Sequence, residues 1–474
     1  MTTLNSVEHP APGAGHAALC FGVVIAIIAI GLFFFSVSLH SLMFLSLLWV
    51  AFNASWLGYR FGDIRELMSG AISRALPAIY IFILIGMVIA SFLHAGTIAT
   101  LMYFGLDLLT PTLFLSLGML LCALMSIATG TSWGTVGTLG VVFIGLGETM
   151  AIPLPLVAGM IVCGATFGDK MSPVSDTTNL AAMSAGTNLY RHIYSMLFTT
   201  VPSFLLVLIL FTAIGFSYRH SELTIAEIGA IREALAGIYH LSPLITLLPL
   251  VVLATLSMRR IAAEASMSLS VVVAVLIAVF YQGSEPQMVL NALWANTPTQ
   301  TGLESLDELL GRGGIYSMSW TLLLAILALA LGGILHGAGF LRSLLVGLIA
   351  RVQRVGTLIA CTIVSGLVGN MALGEAYITI ILNCQLFGEK YDANQLDRAV
   401  LSRSVEEGST LTTSLIPWTT AGAFYTATLG VPVLDYAPYA FFNYFNAVVS
   451  ILMASFGIGL LKQVPTKTVL NLAK

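Results

Sequence analysis

Residues 167–179 read FGDKMSPVSDTTN and lie inside an apolar stretch, 154–185, long enough to cross a lipid bilayer. Asp169, Lys170 and Asp176 are expensive in such surroundings, and ionisable residues of this kind mark functional sites. Pro173 lacks a backbone donor, so a continuous helix through it is not expected. Unwound backbone at membrane depth persists only where protein buries it or a wet cavity lines it. The segment therefore reads as a broken membrane helix whose break is a site, with Ser175, Thr177 and Thr178 as oxygen ligands beside the acids.

The rest of the chain supports a bilayer as its solvent. Of 474 residues, 58% are hydrophobic and 9% charged, with a mean hydropathy of +0.95. Soluble domains carry roughly 25% charged residues. Apolar stretches run near 17–36, 38–58, 75–95, 111–129, 134–150, 154–185, 193–216, 239–258, 264–281, 317–340, 356–371, 374–388, 409–430 and 438–461. At about 20 residues per span, this gives an all-α polytopic membrane protein of roughly 10–14 membrane segments. A net charge of −3 argues against a nucleic-acid partner. Cys20, Cys122, Cys163, Cys361 and Cys384 lie in apolar runs and read as small buried hydrophobes. Residues 1–15 hold no Lys or Arg, so the first span is expected to stay in the membrane rather than be cleaved.

Basic loops stay on the cytoplasmic side. Arg60, Arg65 and Arg74 mark one such loop, Arg191 a second, Arg259 and Arg260 a third, and Arg351 and Arg354 a fourth. Lys390, Arg398 and Arg403 mark a fifth, where the arginines read as interfacial, and Lys462, Lys467 and Lys474 mark the tail. Loop 282–318 sets Arg312 against Glu285, Glu304, Asp307 and Glu308 and belongs outside with 217–238, which puts both termini in the cytoplasm.

Three segments recur in order. His94 in ASFLHAGTIATL matches His336 in GGILHGAGFLRSL, 242 residues on. CALMSIATGTSWG from Cys122 matches CTIVSGLVGNMALG from Cys361, 239 on. Asp169, Ser172 and Ser175 match Glu407, Thr410 and Thr413, 238 on. The charge topology sends the matched spans in opposite directions. We therefore expect two inverted-topology repeats, 1–216 and 239–474, joined by an external linker 217–238, the architecture of carriers that work by alternating access.

Three further segments combine Gly, hydroxyls and charge between apolar runs: Thr129–Gly140 (TGTSWGTVGTLG), Gly369–Glu375 (GNMALGE) and Val405–Gly422 (VEEGSTLTTSLIPWTTAG), the last broken at Pro417. Sodium is a hard cation that takes carboxylate, hydroxyl and carbonyl oxygens, and burial raises an acid's pKa, so one buried carboxylate can trade a proton for sodium. Asp169, Asp176, Glu375 and Glu407 are the candidate ion- and proton-binding acids, with Asp176 and Glu407 holding the sodium directly. Asn370, Ser409, Thr410 and Thr412 extend the oxygen set in the second half. Structural alternatives exist: Asp169 and Lys170 as an ion pair fixing the break, His94 and His336 as packing or interfacial groups, Trp133 and Trp418 as packing. The chain has no Walker A, HExxH or GxSxG motif and no Cys/His cluster of metal-site spacing, so an enzyme is not expected.

GTSWGTVGTLGVVFIGLG, GATFGDKMSPVSDTTNLAAMSAGTNLYRHI and LSRSVEEGSTLTTSLIPWTTAGAFYTATLGVP, followed by YAPYAFFNYFN, resemble the NhaC family of sodium/proton antiporters over essentially the whole chain. The resemblance implies a bacterial inner-membrane carrier with re-entrant hairpins and broken helices. It also implies sodium as transported or coupling ion with no further cofactor, and Asp169, Ser172, Ser175, Asp176, Thr177, Thr178, Asn179, Asn370, Glu375, Glu407, Ser409, Thr410, Thr412 and Trp418 as motif positions. Departures from the family pattern stand at Glu375-Ala376, Glu406-Glu407 and Thr419. Sodium/proton exchange is the first expectation. The alternative is a sodium- or proton-coupled carrier of a small organic anion or amino acid, with Lys170 and helix N-termini holding its carboxylate. A homodimer is compatible with either.

Overall fold

The computed structural model describes residues 10–108, 110–173, 175–218, 225–259, 261–297, 306–307, 310–349 and 354–462. Arg260, Glu304, Glu308, Arg351, Lys467 and Lys474 lie outside the described residues, as does part of the linker 217–238. Among the described residues the regular structure is helical, apart from one isolated antiparallel bridge between Leu396 and Lys462.

The helices are α1 (Ala14–Phe33), α2 (Leu39–Trp56), α3 (Phe61–Arg74), α4 (Leu76–His94), α5 (Thr97–Leu108), α6 (Pro111–Thr129), α7 (Ser132–Thr135), α8 (Val141–Thr149), α9 (Leu154–Met171), α10 (Asp176–Ala185), α11 (Leu189–Ser217) and α12 (Ile225–Ile238). There follow α13 (Pro243–Thr246), α14 (Leu248–Met258), α15 (Ala263–Phe280), α16 (Pro286–Trp294), α17 (Ile315–Gly337), α18 (Phe340–Ile349), α19 (Val355–Leu373), α20 (Ala376–Ala393), α21 (Arg398–Thr413), α22 (Thr420–Leu429), α23 (Val433–Tyr436) and α24 (Phe441–Ser455). A π-helical turn, Val136–Gly140, joins α7 to α8.

Seven of these helices are long and apolar enough to cross a membrane, and the number rises to ten if three bent helix pairs each count as one span. Their outer faces are what a lipid contact requires: Phe33, Phe52 and Ile209 stand 70%, 58% and 67% exposed. The chain is a multi-pass membrane protein.

Both broken stretches split where the prolines stand. Stretch 154–185 becomes α9 and α10, with Ser172 to Ser175 between them; 409–430 becomes the end of α21 and α22, with 414–419 between. Each second piece restarts on a side-chain cap: Ser175 accepts from Thr178 N–H and Thr419 from Gly422 N–H. Such caps contribute about 1 kcal/mol each. In each half a hairpin precedes the break. Gly130 ends α6 in the left-handed region and Thr131 caps α7; Gly374 ends α19 the same way and Glu375 caps α20.

These features recur at a nearly fixed spacing. Gly96 and Gly339, each at positive φ, are 243 apart; Gly130 and Gly374, Gly186 and Gly430, Pro173 and Pro417, and Ser175 and Thr419 are all 244 apart. Counted from break to break, this spacing sets Asp169 level with Thr413, six residues beyond the Glu407 of the third sequence match. Proline and left-handed glycine mark the breaks alike, whereas the side-chain types beside them differ.

Glycines let the site helices approach closely. A Cβ on Gly164 or Gly168 of α9 would lie 2.4 Å from Met119 O or 2.3 Å from Ala123 O on α6. A Cβ on Gly408 of α21 would lie 2.4 Å from Ile363 O on α19. Small residues at such crossings are how membrane helices pack without a hydrophobic driving force. Here they press Asp169, and the pair Glu406 and Glu407, into the interior.

Candidate functional site

The first hairpin tip docks on the first helix break through one carboxylate. Asp169, in the last turn of α9, is 8% exposed. Its Oδ2 accepts the Ser132 N–H at 3.2 Å and the Ser132 hydroxyl at 2.6 Å, and its Oδ1 accepts the Ser175 hydroxyl at 2.5 Å. The Ser175 Oγ is 3.1 Å from Thr177 Oγ1. The phenolic hydroxyl of the buried Tyr425 of α22 is hydrogen-bonded to Ser132, within electrostatic reach of Asp169. One acid and three hydroxyls from separate backbone segments thus meet in the interior, an oxygen set suited to a small hard cation. The second half docks its hairpin differently: Thr420 N–H donates to Gly374 O at 2.8 Å and Trp418 Nε1 to Met371 O at 2.9 Å.

A second buried group lies where α9, α11, α21 and α24 meet. Lys170 Nζ donates to Asn446 Oδ1 at 3.0 Å and stands 3.8 Å from Glu407 Oε1. That oxygen accepts the Thr199 hydroxyl at 2.6 Å, with Arg403 Nε 4.0 Å away. Arg403 donates through Nη1 to Ser195 O at 3.1 Å and Gly459 O at 3.0 Å. Glu406 Oε2 is 2.8 Å from His192 Nε2, and His192 Nδ1 is 2.7 Å from Ser402 Oγ. The side chains of Lys170, His192, Glu406 and Glu407 are wholly buried, and that of Arg403 is all but so, at 1%. Thr178 ties this group to the first, its hydroxyl facing Asp169 O (3.3 Å), Lys170 O (3.1 Å) and Glu406 Oε1 (3.1 Å).

The structure sorts the sequence candidates. Asp169 and Ser175 come together as expected. Asp176 does not join them: it is the first residue of α10, exposed, within electrostatic reach of Glu264. Asp176 and Glu407 therefore do not share one enclosed pocket. The helix restarting at the Ser175 cap turns Asp176 outward while α9 keeps Asp169 inside. Glu407 Oε1 faces Lys170, Arg403 and the Thr199 hydroxyl, while its Oε2 is buried without a hydrogen-bond partner. Glu375 is buried, and its Oε2 accepts Ile378 N–H at 3.1 Å as a helix cap.

Several oxygen candidates hold backbone instead. Ser172 donates to Ile127 O at 2.7 Å, and Asn179 Nδ2 donates to Pro173 O at 3.0 Å and Ser175 O at 2.7 Å. Asn370 Nδ2 donates to Ser409 O at 2.5 Å and Thr412 Oγ1 at 2.8 Å, while Asn370 Oδ1, Ser409 Oγ and Thr410 Oγ1 are buried without a protein partner. Arg403 is not interfacial: one and a half turns after the Asp397 cap carry it into the core, whereas Arg398 pairs with Asp392 and stays partly exposed. Trp133 stacks on Phe424, centroids 4.5 Å apart, a packing role. Half-buried His94 meets Asn296 Oδ1 at 3.0 Å.

The sequence reading missed Ser132, His192, Thr199 and Asn446. Ser132 sits in the Gly/hydroxyl segment singled out above. His192 carried one signal, an ionisable ring at the start of a long apolar helix.

The fold and site define a membrane carrier with buried charge at helix breaks. The chain belongs to the Na+/H+ antiporter family, whose model matches residues 164–458. It is 37% identical over 450 residues to the Na+/H+ antiporter NhaC of Alkalihalophilus pseudofirmus, covering 95% of this chain and 97% of that protein. It is 34% identical over 434 residues to NhaC of Bacillus subtilis, covering 91% and 96%. The malate-2H+/Na+-lactate antiporter of Bacillus subtilis is 32% identical over 429 residues, covering 90% and 91%.

Proposed function

We propose that this protein exchanges sodium ions for protons across the bacterial inner membrane by alternating access, with both termini cytoplasmic. The observation that carries the reading is Asp169: a buried carboxylate at a helix break that accepts the hydroxyls of Ser132 and Ser175, with the Thr177 hydroxyl beside Ser175. When sodium arrives, those hydroxyls turn their lone pairs to it and the carboxylate supplies the negative charge. When sodium leaves, Ser132 and Ser175 donate to Asp169 again. Sodium is here the cargo, and no resident cofactor is invoked. The halves 1–216 and 239–474 act as inverted copies that rock against each other, a reading supported by hairpin and break features recurring 244 residues apart.

The test is sodium-driven proton flux in proteoliposomes. Asp169→Asn is expected to abolish it; undiminished flux in that variant would overturn the reading.

The malate/lactate relative favours a second reading, a carrier of an organic anion. Lys170 was the natural partner for such a carboxylate, but its ammonium is already held by Asn446 beside Glu407. A solute would have to break that arrangement, so the ion-only reading stands first. Flux that needs an added organic acid would reverse the order.

A further inference from the structure

We infer that the exchanged proton is carried by the buried His192–Glu406 pair, a station separate from the carboxylate that takes sodium. This rests on the proposed sodium/proton exchange and replaces competition for one acid with charge balance between two places.

Hydrogen positions follow from the donors. The Ser402 hydroxyl, 3.1 Å from Ala399 O, donates there. It then meets His192 Nδ1, 2.7 Å away, with a lone pair, so Nδ1 carries a hydrogen. The 2.8 Å contact between Nε2 and Glu406 Oε2 also needs a hydrogen, since a bare ring nitrogen and a carboxylate repel. In this arrangement the pair holds two protons and is neutral overall. Turning the Ser402 hydroxyl from Ala399 O to Nδ1 lets the ring give up its Nδ1 proton while Nε2–H still donates to Glu406. The pair then holds one proton and one negative charge. Two well-bonded states thus differ by one proton and one hydroxyl rotation.

The neighbouring charges give the pair its reason to switch. Within electrostatic reach of Glu406 are Asp169 and Lys170 from α9; Glu407 and Arg403 of α21 reach Lys170 in turn, with Tyr391 of α20 bonded to Thr362 behind them. On its own helix, Arg191 is paired with Asp397 at 2.6 Å. α10 contributes the neutral Thr178, and α24 the neutral Asn446. With Asp169, Glu406 and Glu407 ionised and Lys170, Arg403 and His192 protonated, three negative charges meet three positive ones. Uncompensated charge in the membrane interior is strongly unfavourable. A sodium ion at Asp169 adds one positive charge, and release of the Nδ1 proton restores neutrality. Thr178, touching both the Asp169 carbonyl and Glu406, links the two places.

The experiment measures proton release with a pH-indicator dye when sodium chloride, against choline chloride, is added to the purified full-length protein, with sodium binding followed separately as a rise in melting temperature. Wild type is expected to release protons as it binds sodium. No release from wild type despite sodium binding would sink the exchange reading itself. In His192→Gln, retained sodium binding with most of the release lost supports the proposal; undiminished release overturns it while leaving the exchange reading intact. Since His192→Gln can fail to fold, Ser402→Ala, which changes no charge, is titrated in parallel. It takes a hydrogen bond from both states, the stronger one from the charged ring, so the pH of half-release is expected to fall by about half a unit; a profile that stays put or rises overturns the proposal.

Discussion

Ser132 gives both its N–H and its hydroxyl to one oxygen of Asp169, at 3.2 Å and 2.6 Å, and so pins the tip of the first hairpin to the first helix break. The two residues are 37 apart in sequence and belong to segments that sequence patterning marked separately. Their union turns two polar interruptions into one site.

If the Ser132 hydroxyl is a sodium ligand, Ser132→Ala weakens ion binding without removing the charge. A hydrogen bond to a charged group contributes about 1.5–3 kcal/mol, so a rise of about tenfold or more in the half-saturating sodium concentration is expected. Sodium-dependent flux in proteoliposomes measures it, and an unchanged half-saturation would exclude the hydroxyl from the site.

Glu375 separates a cap from an ion ligand. Thr131 occupies the corresponding place in the first half and caps its helix with a hydroxyl. Glu375→Thr is therefore expected to keep transport, whereas Glu375→Ala loses about 1 kcal/mol of stability. Loss of transport in the Thr variant at wild-type stability would restore Glu375 as an ion-binding acid.

Arg403→Met leaves Glu407 buried with Lys170 as its remaining cationic neighbour. Breaking a buried pair on one side destabilises by about 3–5 kcal/mol, while removing both charges can be nearly neutral. Thermal unfolding in detergent is expected to show a large loss for Arg403→Met and substantial recovery in Arg403→Met/Glu407→Gln. A double variant as unstable as the single one would mean that Glu407 is not the group Arg403 serves.

Gly168→Leu tests the packing that buries the site. Its Cβ alone would sit 2.3 Å from the Ala123 carbonyl, so α6 and α9 have to part. Loss of monodisperse protein on fluorescence-detected gel filtration is expected; a well-folded, active variant would show that the close approach is dispensable.

The membrane class, the two broken helices and the role of Pro173 and Pro417 were legible because proline, glycine and charge in an apolar run act locally. Asp169 and Asp176 were both legible as candidates, but not that Asp169 is buried and Asp176 exposed, because the two differ only in which side of the Ser175 cap they fall on. Arg403 read as interfacial because its burial depends on where α21 starts, at a cap set by Asp397. His192 was not found because its partner Glu406 is 214 residues away and the two meet only through the packing of α11 on α21. Matching acids and hydroxyls paired segments 238 to 242 residues apart, whereas the left-handed glycines and prolines beside the breaks recur 243 to 244 apart.

The most direct test compares Asp169→Asn with Asp176→Asn in sodium-driven proton flux across proteoliposomes, at equal protein incorporation. Flux abolished by Asp169→Asn and largely kept by Asp176→Asn is the predicted result. Flux lost with Asp176→Asn and kept with Asp169→Asn would contradict the placement of the ion at the buried carboxylate.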